Sequence, residues 1–253
     1  MAGQQQRCSC PNSHYIIKME ADMRIAIHQP DYIPYIGYFY KISQVDLFVH
    51  LNDAQFSNDN MHHRNSIKTP QGRKRLTIPL KYHFKDNINQ VRTKDELEWK
   101  EKHLGLLAAN YQKCRYFNDI FPKLRELLLT EYDNLADMNM AINQFIISGF
   151  GFSAPVIKAS DLNIFTKKEE RVLDICSVLE ADEYYSGLGA AGYQKEENFR
   201  NRGITLTYTD YKPFIYPQQW GSFEPNLSVL DYLFNCGFDW KRVLEGIRKE
   251  DLL

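Results

Sequence analysis

The chain has 253 residues, 43% of them hydrophobic and 25% charged, the proportions of a globular domain rather than a disordered or fibrous chain. Its 31 Lys and Arg nearly balance 32 Asp and Glu, and the net charge of −1 gives no global field toward nucleic acid or a membrane surface. No apolar run approaches the ~20 residues of a membrane-spanning helix, and five cysteines without a CxxC pair fit neither a disulfide framework nor a zinc ribbon.

Residues 1–22 read as a loose extension. Their longest apolar run, Tyr15-Ile16-Ile17, is too short for a signal peptide, which points to a cytoplasmic, reducing setting. A single domain is then expected over 23–253. It opens with a strand, Arg24-Ile25-Ala26-Ile27, followed by about three helical turns from Tyr35 to Ser43 and a second apolar run from Val45 to Leu51. Strand, helix and strand at this spacing predict a βαβ unit and a parallel sheet. A β-rich stretch around Leu76–Tyr82 carries Pro79, an edge signal. Arg73-Lys74-Arg75 after Gly72 reads as a solvated hairpin tip.

A helical block follows, amphipathic over Asp95–Tyr111, with apolar stripes at Ile120, Leu124, Leu127 and Leu128 and at Leu135, Met138, Ile142, Phe145 and Gly149. Val156–Ala159 is a short strand. Thr166-Lys167-Lys168-Glu169 has the form of a capping box opening a helix. Two more strands, at Glu183–Gly187 and Ile204–Tyr208, and two helices, from about Leu227 and from Asp239, complete the order. The expected fold is α/β, a three-layer Rossmann-like parallel sheet with a helical insertion at about 95–150.

Ligands of open parallel sheets bind beyond the carboxyl ends of strands, so the strand exits hold the candidate site residues. His28, Gln29, Tyr32 and Tyr38 follow the first strand; Asp53 and Gln55 follow the second. Ser186 and Tyr193 flank three glycines after a late strand, and Tyr216 and Gln218 lie in a long aromatic loop before the closing helices. Gly187, Gly189 and Gly192 have the GxGxxG spacing, but late in the chain and without the acidic residue a dinucleotide fold places after its second strand. Residues 60–85 hold seven Lys or Arg and no Asp or Glu, leaving −8 on the rest of the chain. Such a local imbalance suggests an anionic small-molecule partner, and Arg64 and Asn65 stand closest to the first strands. One basic loop lacks the broad face that ~6–10 phosphate contacts of a nucleic acid need. His62-His63 stand without HExxH, HxH or an acidic cluster, so neither a metal nor another cofactor is expected.

Taken together, His28-Gln29-Pro30 with Tyr32, Pro34 and Gly37-Tyr38, Asp53 with Gln55, Arg64-Asn65 with Ile67-Lys68, Tyr185-Ser186-Gly187 with Tyr193, and the run Tyr216, Gln218, Gly221, Phe223, Pro225, Leu227-Ser228 and Asp231 resemble the WbqC-like family from Met23 to about Gly237. The resemblance implies a role in bacterial surface-polysaccharide (O-antigen type) biosynthesis, with transfer of an aminoacyl or acyl group such as glycine onto a sugar nucleotide. In that scheme His28 is the general base, Asp53 orients it, and Arg64 with Lys68 clamps the anion. Gln29, Tyr32, Tyr38, Gln55, Asn65, Ser186, Tyr193, Tyr216 and Gln218 shape the pocket. A non-catalytic binding or scaffold protein is the rival reading. A more distant likeness, to HxGH nucleotidyltransferases, implies an ATP-using enzyme, although Tyr35-Ile36-Gly37-Tyr38 carries tyrosine where that motif has histidine.

Overall fold

The structure, a computed structural model, describes residues 22–250. All but the last residue of the amino-terminal extension, Cys8 and Cys10 included, lies outside the described residues. Five strands form one parallel sheet: β1 (Arg24–His28), β2 (Leu47–His50), β7 (Val156–Lys158), β8 (Glu183–Ser186) and β9 (Thr205–Tyr208), in the order β7-β2-β1-β8-β9. Alternate side chains leave opposite faces of the sheet. Ala26, Phe48 and Tyr185 enter one core with α1 (Ile36–Ser43), α2 (Trp99–Tyr111), α3 (Phe117–Leu129), α4 (Leu135–Phe150), α7 (Val229–Cys236) and α8 (Trp240–Glu250). Ile25, Ile27, Leu47, Val49, Ile157 and Tyr184 enter the other, against α5 (Lys168–Val178) and α6 (Glu196–Arg200). Burial on both faces explains why these strands read as continuous apolar runs. The architecture is thus the expected three-layer α/β fold, with α2–α4 as the helical insertion.

The chain moves outward from β1 to β2 and β7, then returns to the other side of β1 for β8 and β9. In open parallel sheets such a reversal, here between the carboxyl ends of β1 and β8, is where ligand crevices form. Continuing their register, Ile25 opposite Tyr184, sets His28 opposite Gly187.

Three local expectations are corrected. The basic hairpin consists of β3 (Arg64–Thr69) and β4 (Gly72–Thr77), turns at Pro70-Gln71, and precedes a short antiparallel pair, β5 (Leu80–Lys81) and β6 (Arg92–Thr93). Gly72 supplies the positive φ, so Arg73-Lys74-Arg75 lies within a strand and not at the tip. The helix expected from Asp95 begins at Trp99, because Glu98 is left-handed and separates it from a short 3-10 turn at Asp95–Leu97. Thr166 and Glu169 form no capping box: Thr166 donates to Asp174, and Glu169 accepts from the Lys195 N–H and from Asn198 at the start of α6.

Candidate functional site: a histidine-rich rim at the sheet reversal

The loop after β1 is short and tightly held. Ile33 is fully buried with φ of 39°, a backbone conformation that costs a β-branched residue about 1–3 kcal/mol and persists only where its surroundings enforce it. Asn65, from the start of β3, donates to the Ile33 carbonyl at 2.7 Å and the Tyr32 carbonyl at 3.3 Å. Two buried amides of α4 hold the same loop. Asn139 donates to the carbonyls of Pro30 (2.9 Å) and His62 (2.7 Å), and Asn143 to that of Asp31 (3.2 Å). Gly37 is required because a Cβ there would lie 2.3 Å from the Tyr35 ring and 2.7 Å from that of Tyr211. The close approach it allows is therefore aromatic packing rather than ligand contact.

His28 ends β1 at the rim of the crevice. Its side chain keeps 38% of its surface accessible although the ring is densely surrounded. Nδ1 lies 2.8 Å from the Gln29 carbonyl. A carbonyl only accepts, so Nδ1 carries the proton and Nε2 holds the lone pair. Burial, reinforced by the charge of Lys41, pulls the imidazole down to about 4, against the opposing pull of Asp31. At neutral pH the ring is therefore an unprotonated acceptor.

Around it stand Tyr38, in an edge-on contact with ring centroids 5.0 Å apart, and Asp31, whose Oδ2 is 4.0 Å from Nδ1. The other Asp31 oxygen accepts from buried His62 at 2.8 Å. The Tyr38 hydroxyl lies 3.4 Å from Nδ1 of His50, the last residue of β2, which burial lowers to about 3. Lys41 is buried on the same helix as Tyr38, one turn later. Its Nζ sits 6.0 Å from the center of the Phe48 ring, with no carboxylate in ion-pair contact among the described residues. Burial lowers it to about 7, opposed by Asp31.

The sequence-derived candidates separate into three groups. His28, Gln29 and Tyr38 meet at the rim, where Gln29 Nε2 donates to the Gln55 carbonyl at 3.1 Å; the Gln55 side chain itself faces solvent. Ser186 ends β8 across the crevice, fully buried and donating to Gln194, and Tyr193 stands 70% exposed in the glycine-rich segment. The second group braces. Asn65 holds the loop, while the Tyr32 hydroxyl meets His103 Nδ1 at 2.9 Å inside the helical insertion.

Asp53 grips Arg171 of α5 through both oxygens, at 2.6 and 2.5 Å, so the carboxylate beside His28 is Asp31 and not Asp53. The third group lies elsewhere. Lys68 donates to Gln218 Oε1 at 3.0 Å and to the Ser222 carbonyl, away from the rim, and Tyr216 packs against Phe223 and Tyr232. Sequence reading passed over His50, Asp31 as a partner, and Lys41, and weighed His62 only as a metal ligand. The legible signals were a histidine closing each of the first two strands and a lysine on the inner face of an otherwise apolar helix. A thiolate nucleophile is disfavoured at the described cysteines, because burial raises Cys114 and Cys236 to about 11 and Cys176 to about 12.

Among the described residues no helix is long and apolar enough to cross a membrane. No solved structure matches the chain. An uncharacterized protein of Mycobacterium tuberculosis (strain ATCC 25618 / H37Rv), Rv1507c, is 35% identical over 218 residues, which cover 85% of this chain and 94% of that protein. The model of the WbqC-like protein family matches residues 29–243, beginning one residue after His28 and spanning the basic hairpin and the helical insertion, and the chain belongs to that family.

Proposed function

We propose that the protein is a cytoplasmic transferase that moves an aminoacyl or acyl group onto an amino or hydroxyl group of an anionic sugar-nucleotide acceptor, in bacterial surface-polysaccharide synthesis of the O-antigen type. The observation that carries this reading is the His28 imidazole: a solvent-reachable Nε2 lone pair, fixed by the Nδ1 hydrogen bond to Gln29, at the point where strand order reverses. His28 Nε2 takes the acceptor's proton as its nitrogen or oxygen bonds to the donor's carbonyl carbon. The bond from that carbon to the leaving group breaks, and the imidazolium returns the proton to the departing atom. A positioned base contributes ~10²–10⁴-fold to such a step. Asp31, 4.0 Å from Nδ1, stabilises the imidazolium while it exists. Ser186 and Tyr193 flank the opposite wall, and Tyr38 packs edge-on against the base.

The test is to incubate purified protein with panels of sugar nucleotides and thioester-bound acyl donors and to follow the small molecules by mass spectrometry. Transfer appears as an acceptor heavier by one acyl group and a free carrier thiol. Binding of an acceptor with no product from any donor favours the non-catalytic reading, and release of pyrophosphate from ATP favours nucleotidyl transfer.

A further inference from the structure

The basic hairpin has two ends with different fates. Opposite residues in an antiparallel pair share a face, and the register pairs Arg64 with Thr77, Ser66 with Arg75, and Lys68 with Arg73. Four cations therefore project from one face, while Asn65, Ile67 and Leu76 turn into the protein. At the turn end, Lys68 is consumed by Gln218 and the Ser222 carbonyl, and Arg73 by the Pro225 carbonyl at 2.5 Å and Glu224 at 3.5 Å.

At the other end, Arg64 and Arg75 border an open cleft of about 430 Å³, completed by Asn58, His63, Thr77, Ile78, Leu80 and Tyr82. No carboxylate lines it. The Arg64 guanidinium donates only to the main-chain carbonyl of Asp59, and the Arg75 side chain is exposed with no hydrogen bond or ion pair among the described residues. His63 is only 5% exposed, and its Nδ1 has no hydrogen-bond partner there. Two guanidiniums facing one concavity without a counter-charge repel each other, and an anion placed between them removes that repulsion while accepting paired N–H bonds.

We propose that this cleft is a phosphate-binding site, with Arg64 and Arg75 as a two-sided clamp for the phosphoryl group of a phosphorylated sugar. It deepens the transfer reading, on which it rests only for the identity of the group the phosphate carries. The cleft also connects to the rim. His62 and His63 are consecutive and turn opposite ways, His62 to Asp31 and His63 to the cleft, with Phe56 packed against both rings at 6.0 and 5.7 Å. A volume of this order lies in the range of small-molecule sites.

Titration calorimetry on the full chain at low ionic strength tests the site, with inorganic phosphate, glucose 1-phosphate and uncharged glucose as probes. Glucose 1-phosphate binds, phosphate binds more weakly, and glucose does not. Arg75→Ala and Arg64→Ala each weaken glucose 1-phosphate at least 10-fold. Arg64→Lys, which keeps the charge but not the fork, falls between them and the parent. Lys85→Ala, in the same basic stretch but away from the cleft lining, binds like the parent. The Arg75 guanidinium has no hydrogen bond or ion pair among the described residues, so its removal leaves the circular-dichroism spectrum and Tm unchanged. The proposal is overturned if neither phosphorylated probe binds, if Arg75→Ala binds like the parent, or if Lys85→Ala weakens binding equally. His28→Ala retains glucose 1-phosphate binding, so failure of the clamp and failure of the transfer chemistry are read separately.

Discussion

Two polar clusters in this protein are built from the same kinds of residue and differ in what they leave open. At the rim, His28 presents an accessible imidazole nitrogen, and Lys41 lies buried beside Asp31 with no ion pair among the described residues. Below the carboxy-terminal loop, Tyr111 donates to Asp231 at 2.7 Å and accepts from the Lys68 N–H at 2.8 Å, while Lys68 Nζ and Gln218 are spent on the loop itself. The second cluster fastens β3, α2, α7 and the 218–225 loop together. The first spends fold stability on keeping groups neutral and within reach. A polar residue in a cluster is thus a weak sign of chemistry; an incompletely engaged one facing a concavity is a stronger sign.

The sharpest way to break this contrast is His28→Ala. Turnover is expected to fall by ~10²–10⁴-fold with Tm within a degree or two of the parent; unchanged turnover removes the imidazole from the chemistry. Tyr111→Phe should do the reverse. It strips Asp231 of a buried donor and the Lys68 N–H of its acceptor, at a cost of about 1.5–3 kcal/mol, seen as a lower urea midpoint with glucose 1-phosphate affinity retained in the folded fraction. A midpoint equal to the parent's would show that the second cluster does not fasten the fold.

The pH response comes next in size. Burial holds His50 near 3 and His103 near 4, against 6.5 in an unfolded chain. Between those values the unfolded state binds protons that the fold does not, so stability rises with pH and is lost as pH falls from about 6.5 toward 4. Tm should therefore drop steadily from pH 7 to pH 5. The slope should be shallower in His103→Gln, whose amide retains a bond to Tyr32. A flat profile contradicts the buried neutral pair. The smallest effect is electrostatic: Lys41→Met removes a positive charge that depresses His28, so the NMR titration of the imidazole moves upward from about 4. An unmoved titration separates Lys41 from the rim.

The sheet was legible in the sequence because two-sided burial writes parallel strands as apolar runs, and helices such as α3, α4 and α8 showed their inner stripes through spacing. The rim was legible as far as strand exits reveal it, which placed His28, Gln29, Tyr38 and Ser186. Pairings across long stretches of chain were not legible. Asp31 and Asp53 look alike in sequence, and only the packing of α5 commits Asp53 to Arg171 and leaves Asp31 for His62 and His28. Lys68 likewise reads as a free cation until the loop near 220 folds over it. The hairpin register was missed because Gly72, just beyond the turn at Pro70-Gln71, was read as leading into the tip.

The two α4 amides that grip the loop after β1 tie the integrity of the site to that of the insertion. The parallel sheet is a generic scaffold, whose strands hydrogen-bond to one another and not to residues 95–150. The reactive edge is not generic: excising the insertion would leave Ile33 to relax its backbone and His28 without a fixed neighbour.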